Sequence, residues 1–227
     1  MPNLTDFKNK HKDSDIYILA SGKSVDFLPK SFLENKIIIG VNQSYKFFTP
    51  QYLVRKECKL LDNVIKDCPN TIHFITKGDC GGSNLNNILF LKKNNFFNNK
   101  SNIVVYNHQK NIHKLTKLPP KDHLVVSYST ITTAIHLAAY MGAKNIILIG
   151  HDCGIIDGEP NFEGYHTKKS YKIAWKKNGV EDYKKWLKQI ESHTIKLKQI
   201  LKKIYNCNVY SLNPFINFNL EGHIYSK

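Results

Sequence analysis

Arginine is nearly missing from this sequence: Arg55 stands alone among 33 basic residues. Arginine pairs bidentately with phosphate or carboxylate, yet a single one is expected to make a surface salt bridge. No apolar run approaches the ~20 residues of a membrane helix, so no span is expected. No CxxC pair occurs, which argues against a structural zinc site. The cysteines, Cys58, Cys68, Cys80, Cys153 and Cys207, are 5 in number and scattered. The polar start, MPNLTDFKNKHKDSD, does not read as a secretory signal. Together these features predict reduced thiols in a cytoplasm. Neither GxxxxGK[ST] nor GxGxxG is present. No nucleic-acid motif accompanies the lysines, and there is no internal repeat.

What is present is a chain of 227 residues, 41% hydrophobic and 22% charged, enough for one α/β domain with a packed core. The formal charge is +15. It suits a polyanion, an anionic membrane or acidic substrates. It also suits a lysine-, asparagine- and isoleucine-rich composition with no such partner. Residues 1–14 read as a polar lead-in and 15–227 as the domain. Strands are predicted at Asp15–Ala20, Lys36–Val41, Gln51–Val54, Thr71–Thr76, Asn102–Tyr106, Asn145–Ile149 and Asn208–Leu212. His123–Val126 is a short strand or extended segment. Helices are predicted at Lys59–Lys66 and Glu181–Tyr205, the second carrying an apolar stripe of core-packing residues from Tyr183 to Ile204. Residues 84–101 are asparagine-rich and carry no assignment. Strand and helix alternate, which predicts a mostly parallel sheet flanked by helices.

The most informative stretch is Ser129–Gly158, reading STITTAIHLAAYMGAKNIILIGHDCGIIDG. Ser129 or Thr130 caps a helix. Gly142 supplies a left-handed end. The buried strand NIILI then opens into Gly150–His151–Asp152. Ligands of open α/β sheets gather at the carboxyl ends of such strands. Ser21–Gly22, after the first strand, and Asn42, after the second, share that rim. Small residues there suit contact with phosphate or ribose, and equally an ordinary turn; a carboxamide reads a base or sugar edge, or closes a turn. The polar and aromatic segment 153–180 is expected to be a lid over a ligand.

Three blocks carry a family resemblance. They are Ile16–Ser24 with Ile37–Gln43, then Ser129–Asp152 with its Gly-x-Asp strand end, then Ile195–Pro214. In that order they resemble the bacterial sialyltransferases of glycosyltransferase family 42, within the wider Rossmann-like group labelled 6-hydroxymethylpterin pyrophosphokinase MptE-like. The blocks cover a quarter to a third of the chain. The resemblance implies a single Rossmann-like, GT-A-like domain, a CMP-linked nucleotide-sugar donor, a glycan or glycolipid acceptor, and no metal or other cofactor. Asn42 matches the asparagine that contacts the donor nucleotide. Ser129 and Thr130 match the Thr-Ser pair along it, and Asp152 the aspartate of Gly-x-Asp. Ser21–Gly22 occupies the glycine-rich first loop, which here reads Ala20-Ser21-Gly22-Lys23-Ser24. Ile155 stands where the family has a tyrosine, with Tyr165 and Tyr171 available for the donor phosphate. The family's general-base histidine aligns at Gln189, and His193 follows one helical turn later.

Glycosyl transfer needs a proton acceptor, stabilisation of the leaving phosphate and exclusion of water. Histidine suits the first, with His193, His166 and His151 as candidates in that order. Lid tyrosines and lysines suit the second. The expectation is a cytoplasmic sialyltransferase-like enzyme, peripheral at the inner face of the membrane, with no specific nucleic acid and a homo-oligomeric form open. The alternative is an ATP- and Mg²⁺-dependent 6-hydroxymethylpterin pyrophosphokinase-like enzyme, for which Asp152, Asp157 and Asp79 are the available carboxylates. A third reading is a non-enzymatic nucleotide- or polyanion-binding module.

Overall fold

The structure, a computed structural model, describes residues 2–56, 58, 61–77, 87–93, 102–109, 122–165 and 180–212. Among them are eight strands: β1 (Asp15–Leu19), β2 (Ile37–Val41), β3 (Tyr52–Arg55), β4 (Ile72–Thr76), β5 (Ile103–Gln109), β6 (His123–Val125), β7 (Asn145–Ile149) and β8 (Asn208–Ser211). They form one sheet in the order β6-β5-β4-β3-β2-β1-β7-β8, and every pairing is parallel. The runs IYIL, IIIGV and NIILI explain why. A parallel sheet is covered on both faces, so its strands are apolar throughout, and β-branched side chains fit its pleat.

The helices are α1 (Leu61–Asp67), α2 (Asn87–Lys93), α3 (Thr130–Tyr140) and α4 (Val180–Tyr205). One face of the sheet packs against α3 and α4, through Ile131, Ile135 and Ala138 of α3 and Leu197 and Leu201 of α4. The other face is covered by the short turns carrying Val25 and Leu33, by Phe162 and Tyr165, and further along by Leu61, Ile65 and Leu91. The result is an α/β Rossmann-like architecture with helices on both sides. No helix among the described residues is long and apolar enough to cross a membrane.

The polar lead-in proves to belong to the domain. Leu4 and Phe7 are buried in the main core, and the Phe7 ring meets Phe74 edge-on at 5.0 Å. Its backbone also closes α3. Asn9, His11 and Asp13 donate N–H groups to the carbonyls of Tyr140, Met141 and Gly142 at 3.1, 2.8 and 2.9 Å. Those carbonyls lie at the end of α3 and just past it, where the helix itself offers no N–H partner. Gly142 takes φ +90°, the left-handed end that its position in the sequence predicts.

Sheet order fixes where a site can form. β1 has β2 on one side and β7 on the other, with Ile16 opposite both Ile37 and Ile146. Strand order reverses at β1, so the crevice beyond the carboxyl ends of β1 and β7 is the topological switch point.

Candidate functional site

A close clasp holds that crevice. Ala20 donates its N–H to the Ile149 carbonyl at 2.8 Å, and Gly22 to the Gly150 carbonyl at 2.7 Å. The approach leaves no room for a side chain at Gly22, since a Cβ there would stand 2.4 Å from an Asp152 oxygen. Gly150 has φ +66°, and a Cβ on it would meet Val25 at 2.2 Å. Asp152 is 3% exposed. One of its oxygens accepts from the Ser24 N–H at 2.8 Å and the other from the Ser24 hydroxyl. Asp152 thus ties the end of β7 to the loop after β1.

Beyond the clasp lies a cavity of about 350 Å³. Its walls include Ser21, Gly22, Asn42, Ser129, Asp152 and Tyr165. With His151, also on the wall, the structure brings together seven of the residues read from the sequence. Thr130 is buried and is not on the wall. Ser129 caps α3, accepting from the Ile131 N–H at 3.5 Å. His166 and Tyr171 lie outside the described residues.

Asn42 occupies a left-handed conformation, φ +55°. Both of its backbone groups are held: its N–H donates to the Val54 carbonyl at 3.1 Å, and its carbonyl accepts from Nη1 of Arg55 at 3.1 Å. A surface salt bridge was the expectation for Arg55, but the residue is 6% exposed. It ends β3 and reaches back under the neighbouring strand. The Tyr165 hydroxyl meets the side chains of Ser21 and Asn42. Burial raises its pKa, and the bond to Ser21, the Arg55 charge and the bond to Asn42 pull it back.

The segment after β7 is fastened as far as Tyr165. Nδ2 of Asn161 donates to the Ser21 carbonyl and hydroxyl, both at 3.1 Å, and the Phe162 N–H to the same carbonyl at 3.1 Å. Lys46 donates to the Tyr165 carbonyl at 2.9 Å. Phe162 and Tyr165 pack in the core beside Val25 and Leu33. The expected lid thus begins as a docked strap; residues 166–179 lie outside the described set.

The opposite wall comes from α4. Its apolar stripe divides. Leu197 and Leu201 are core alone, whereas Leu187 and Ile190, with Tyr183 beside them, belong to the core and also line the cavity together with Trp186. Core packing, the role expected for the stripe, holds for Leu187, Ile190, Leu197 and Leu201, while Trp186, off the stripe, was not singled out. The available signal was an aromatic pair three residues apart at the helix start.

His151 lies on the wall and is 6% exposed. Thr194 spends its one hydroxyl proton on the Ile190 carbonyl at 3.0 Å, so its oxygen accepts from His151 Nε2–H at 3.0 Å. Burial pushes the imidazole down to about 4 and keeps it neutral. His193 does not line the cavity. It lies one helical turn beyond Ile190, with Nδ1 2.5 Å from the Ser127 hydroxyl and its ring 4.4 Å from that of Tyr128. Tyr128 is itself left-handed, φ +55°, directly before the cap of α3.

Among the described residues no group of three His, Cys, Asp or Glu is placed to hold a metal ion. Asp152 is the one carboxylate among the described wall residues. No protein-family model matches the chain, and no curated protein matches it.

Proposed function

We propose that this protein is a nucleotide-sugar-dependent glycosyltransferase of the sialyltransferase type, using a CMP-linked donor and a glycan or glycolipid acceptor. The observation that carries the reading is the convergence of Ser21, Gly22, Asn42, Ser129 and Asp152 on one cavity at the switch point. In this reading the donor's phosphate lies against the loop of Ser21 and Gly22 and the N-terminus of α3, where backbone N–H groups favour anions. Asn42 reads the nucleoside, and the Tyr165 hydroxyl donates to a phosphate oxygen. An acceptor hydroxyl oxygen attacks the anomeric carbon of the donor sugar. The bond from that carbon to the phosphate oxygen breaks, CMP leaves with the electron pair, and the hydroxyl proton passes to water, since His193, the first candidate for the base, stands off the cavity wall. Asp152 keeps the two loops joined. The net charge of +15 suits acceptors carried on an anionic membrane.

Thermal denaturation with CMP, UDP, GDP and ATP, each with and without Mg²⁺, tests this. Saturating CMP is expected to raise Tm by about 5–10 °C without Mg²⁺. A response to ATP alone, and only with Mg²⁺, would replace the transferase by a pyrophosphokinase. His193→Ala is expected to leave kcat and CMP affinity within about twofold, because the ring stands off the cavity wall; a loss of kcat of about a hundredfold would put His193 in the proton step.

A further inference from the structure

We infer that Trp186, braced by Tyr183, is the platform on which the terminal pyranose ring of a neutral glycan acceptor stacks. The word acceptor rests on the glycosyltransferase reading; the platform rests on the cavity wall. Among the described residues the large exposed apolar side chains are Phe27, Leu89, Tyr128, Trp186 and Ile195. Of these only Trp186 also lines the cavity. It is 42% exposed, so the indole stands at the mouth, partly in water. An aromatic side chain of this size gains most from covering its face, and nothing in the core explains leaving it open.

The ring is held in place. Tyr183 lies three residues earlier on α4, the spacing that puts two side chains on one side of a helix. The two ring centroids are 5.7 Å apart at 37°. Leu187 and Ile190, 8% and 5% exposed, form a fixed backing deeper in the wall. Burial pushes the Tyr183 hydroxyl up to about 12, so it stays a neutral donor at any working pH. Trp and Tyr turn only two side-chain torsions, so little entropy is lost when a ligand covers them.

The chemistry of the occupant follows from the two walls. The strand-end wall is polar, with Ser21, Asn42, Ser129 and Asn161. It accounts for the nucleotide. The α4 wall is aromatic and aliphatic, and no lysine or arginine lies on the described wall. A pyranose has one face of C–H groups for an indole and a rim of hydroxyls for Tyr183 and Asn161. A glycan must also continue out into solvent, which suits a platform at the mouth. A donor's nucleobase would instead be drawn fully inside.

The sequence has 2 tryptophans. Trp175→Phe therefore makes Trp186 the sole emitter. Its fluorescence is titrated with methyl glycosides of glucose, galactose and N-acetylglucosamine, with and without CMP. The wild-type chain and Trp186→Phe are titrated in parallel, in case Trp175→Phe folds poorly. The expected result is a shift of Trp186 emission by at least one glycoside. Trp186→Ala is expected to lose about tenfold more glycoside affinity than CMP affinity, which is about 1.4 kcal/mol, and Trp186→Phe to recover most of it. Quenching by CMP with no glycoside response means that the wall stacks the base and overturns the inference. So does CMP binding, seen by thermal shift, with no glycoside response at all. Glycoside binding without CMP binding leaves the platform standing and removes the donor reading. Binding of neither removes both.

Discussion

At the scale of single residues, the clasp depends on two glycines packed against the Asp152 tie, and the polar wall on a tyrosine. A methyl group at Gly22 collides with Asp152 and the Gly150 carbonyl, and one at Gly150 collides with Val25. Gly22→Ala and Gly150→Ala are each expected to cost about 1–3 kcal/mol in urea unfolding. CMP affinity is expected to fall with them; a stability change under about 0.5 kcal/mol (roughly the surface-substitution range) would mean that the clasp yields to a methyl group. Tyr165→Phe removes the hydroxyl that joins Ser21 to Asn42. Its expected cost is about 0.5–1.5 kcal/mol in urea unfolding, because both partners line the cavity and Ser21 keeps its bond from Asn161. Arg55 shows what residue-by-residue reading misses. Buried, it donates to the Asn42 carbonyl just past the neighbouring strand, and nothing local in the sequence announces that contact.

At the scale of elements, three histidines are buried where strands and helices meet. His73 on β4, His136 on α3 and His151 after β7 are each pushed by desolvation to about 4. His136 accepts from the Val125 N–H at 3.0 Å and donates to the Tyr205 hydroxyl at 3.1 Å, so it joins β6, α3 and α4 in its neutral form. Between the unfolded value near ~6.5 and the folded value, the unfolded chain binds more protons, so stability falls as pH falls. The expected loss from pH 7 to pH 5 is about 2 kcal/mol per histidine, read from urea midpoints. His136→Gln is expected to flatten that slope by about a third, and an unchanged slope would reassign the protons. The elements themselves were legible. Doubly buried strands are short apolar runs between turn residues, and each predicted strand is present within a residue or two, β5 alone running three residues further. Helical period showed which face of α4 is apolar, but not that its first turns face a cavity. The lead-in was misread because its bonds to the end of α3 join segments far apart in sequence. In the site, Ser21, Gly22, Asn42 and Asp152 converge because strand ends converge, whereas Ser129 comes with the cap of α3 and Tyr165 with the strap docked through Asn161 and Phe162. Thr130 and His193 depend on side-chain direction, which a strand-end argument does not supply.

At the scale of the whole molecule, the +15 charge sets a self-repulsion that salt relieves. Raising ionic strength from about 0.01 to about 0.15 M is expected to raise Tm by a few degrees. A flat response would mean that the lysines lie too far apart to repel. The placement of β1 has a consequence for synthesis. Its first neighbour, β2, follows closely, but its second, β7, begins at Asn145. At translation rates of about 5–20 residues per second, one edge of β1 stays open on the order of ten seconds after β2 emerges. The nascent chain must keep that edge from pairing with a stranger. The strand-end wall of the crevice comes into being only when β7 pairs with β1, and the opposite wall waits for α4, which follows β7 in the chain, so the cavity is completed only near the end of synthesis of residues 15–205.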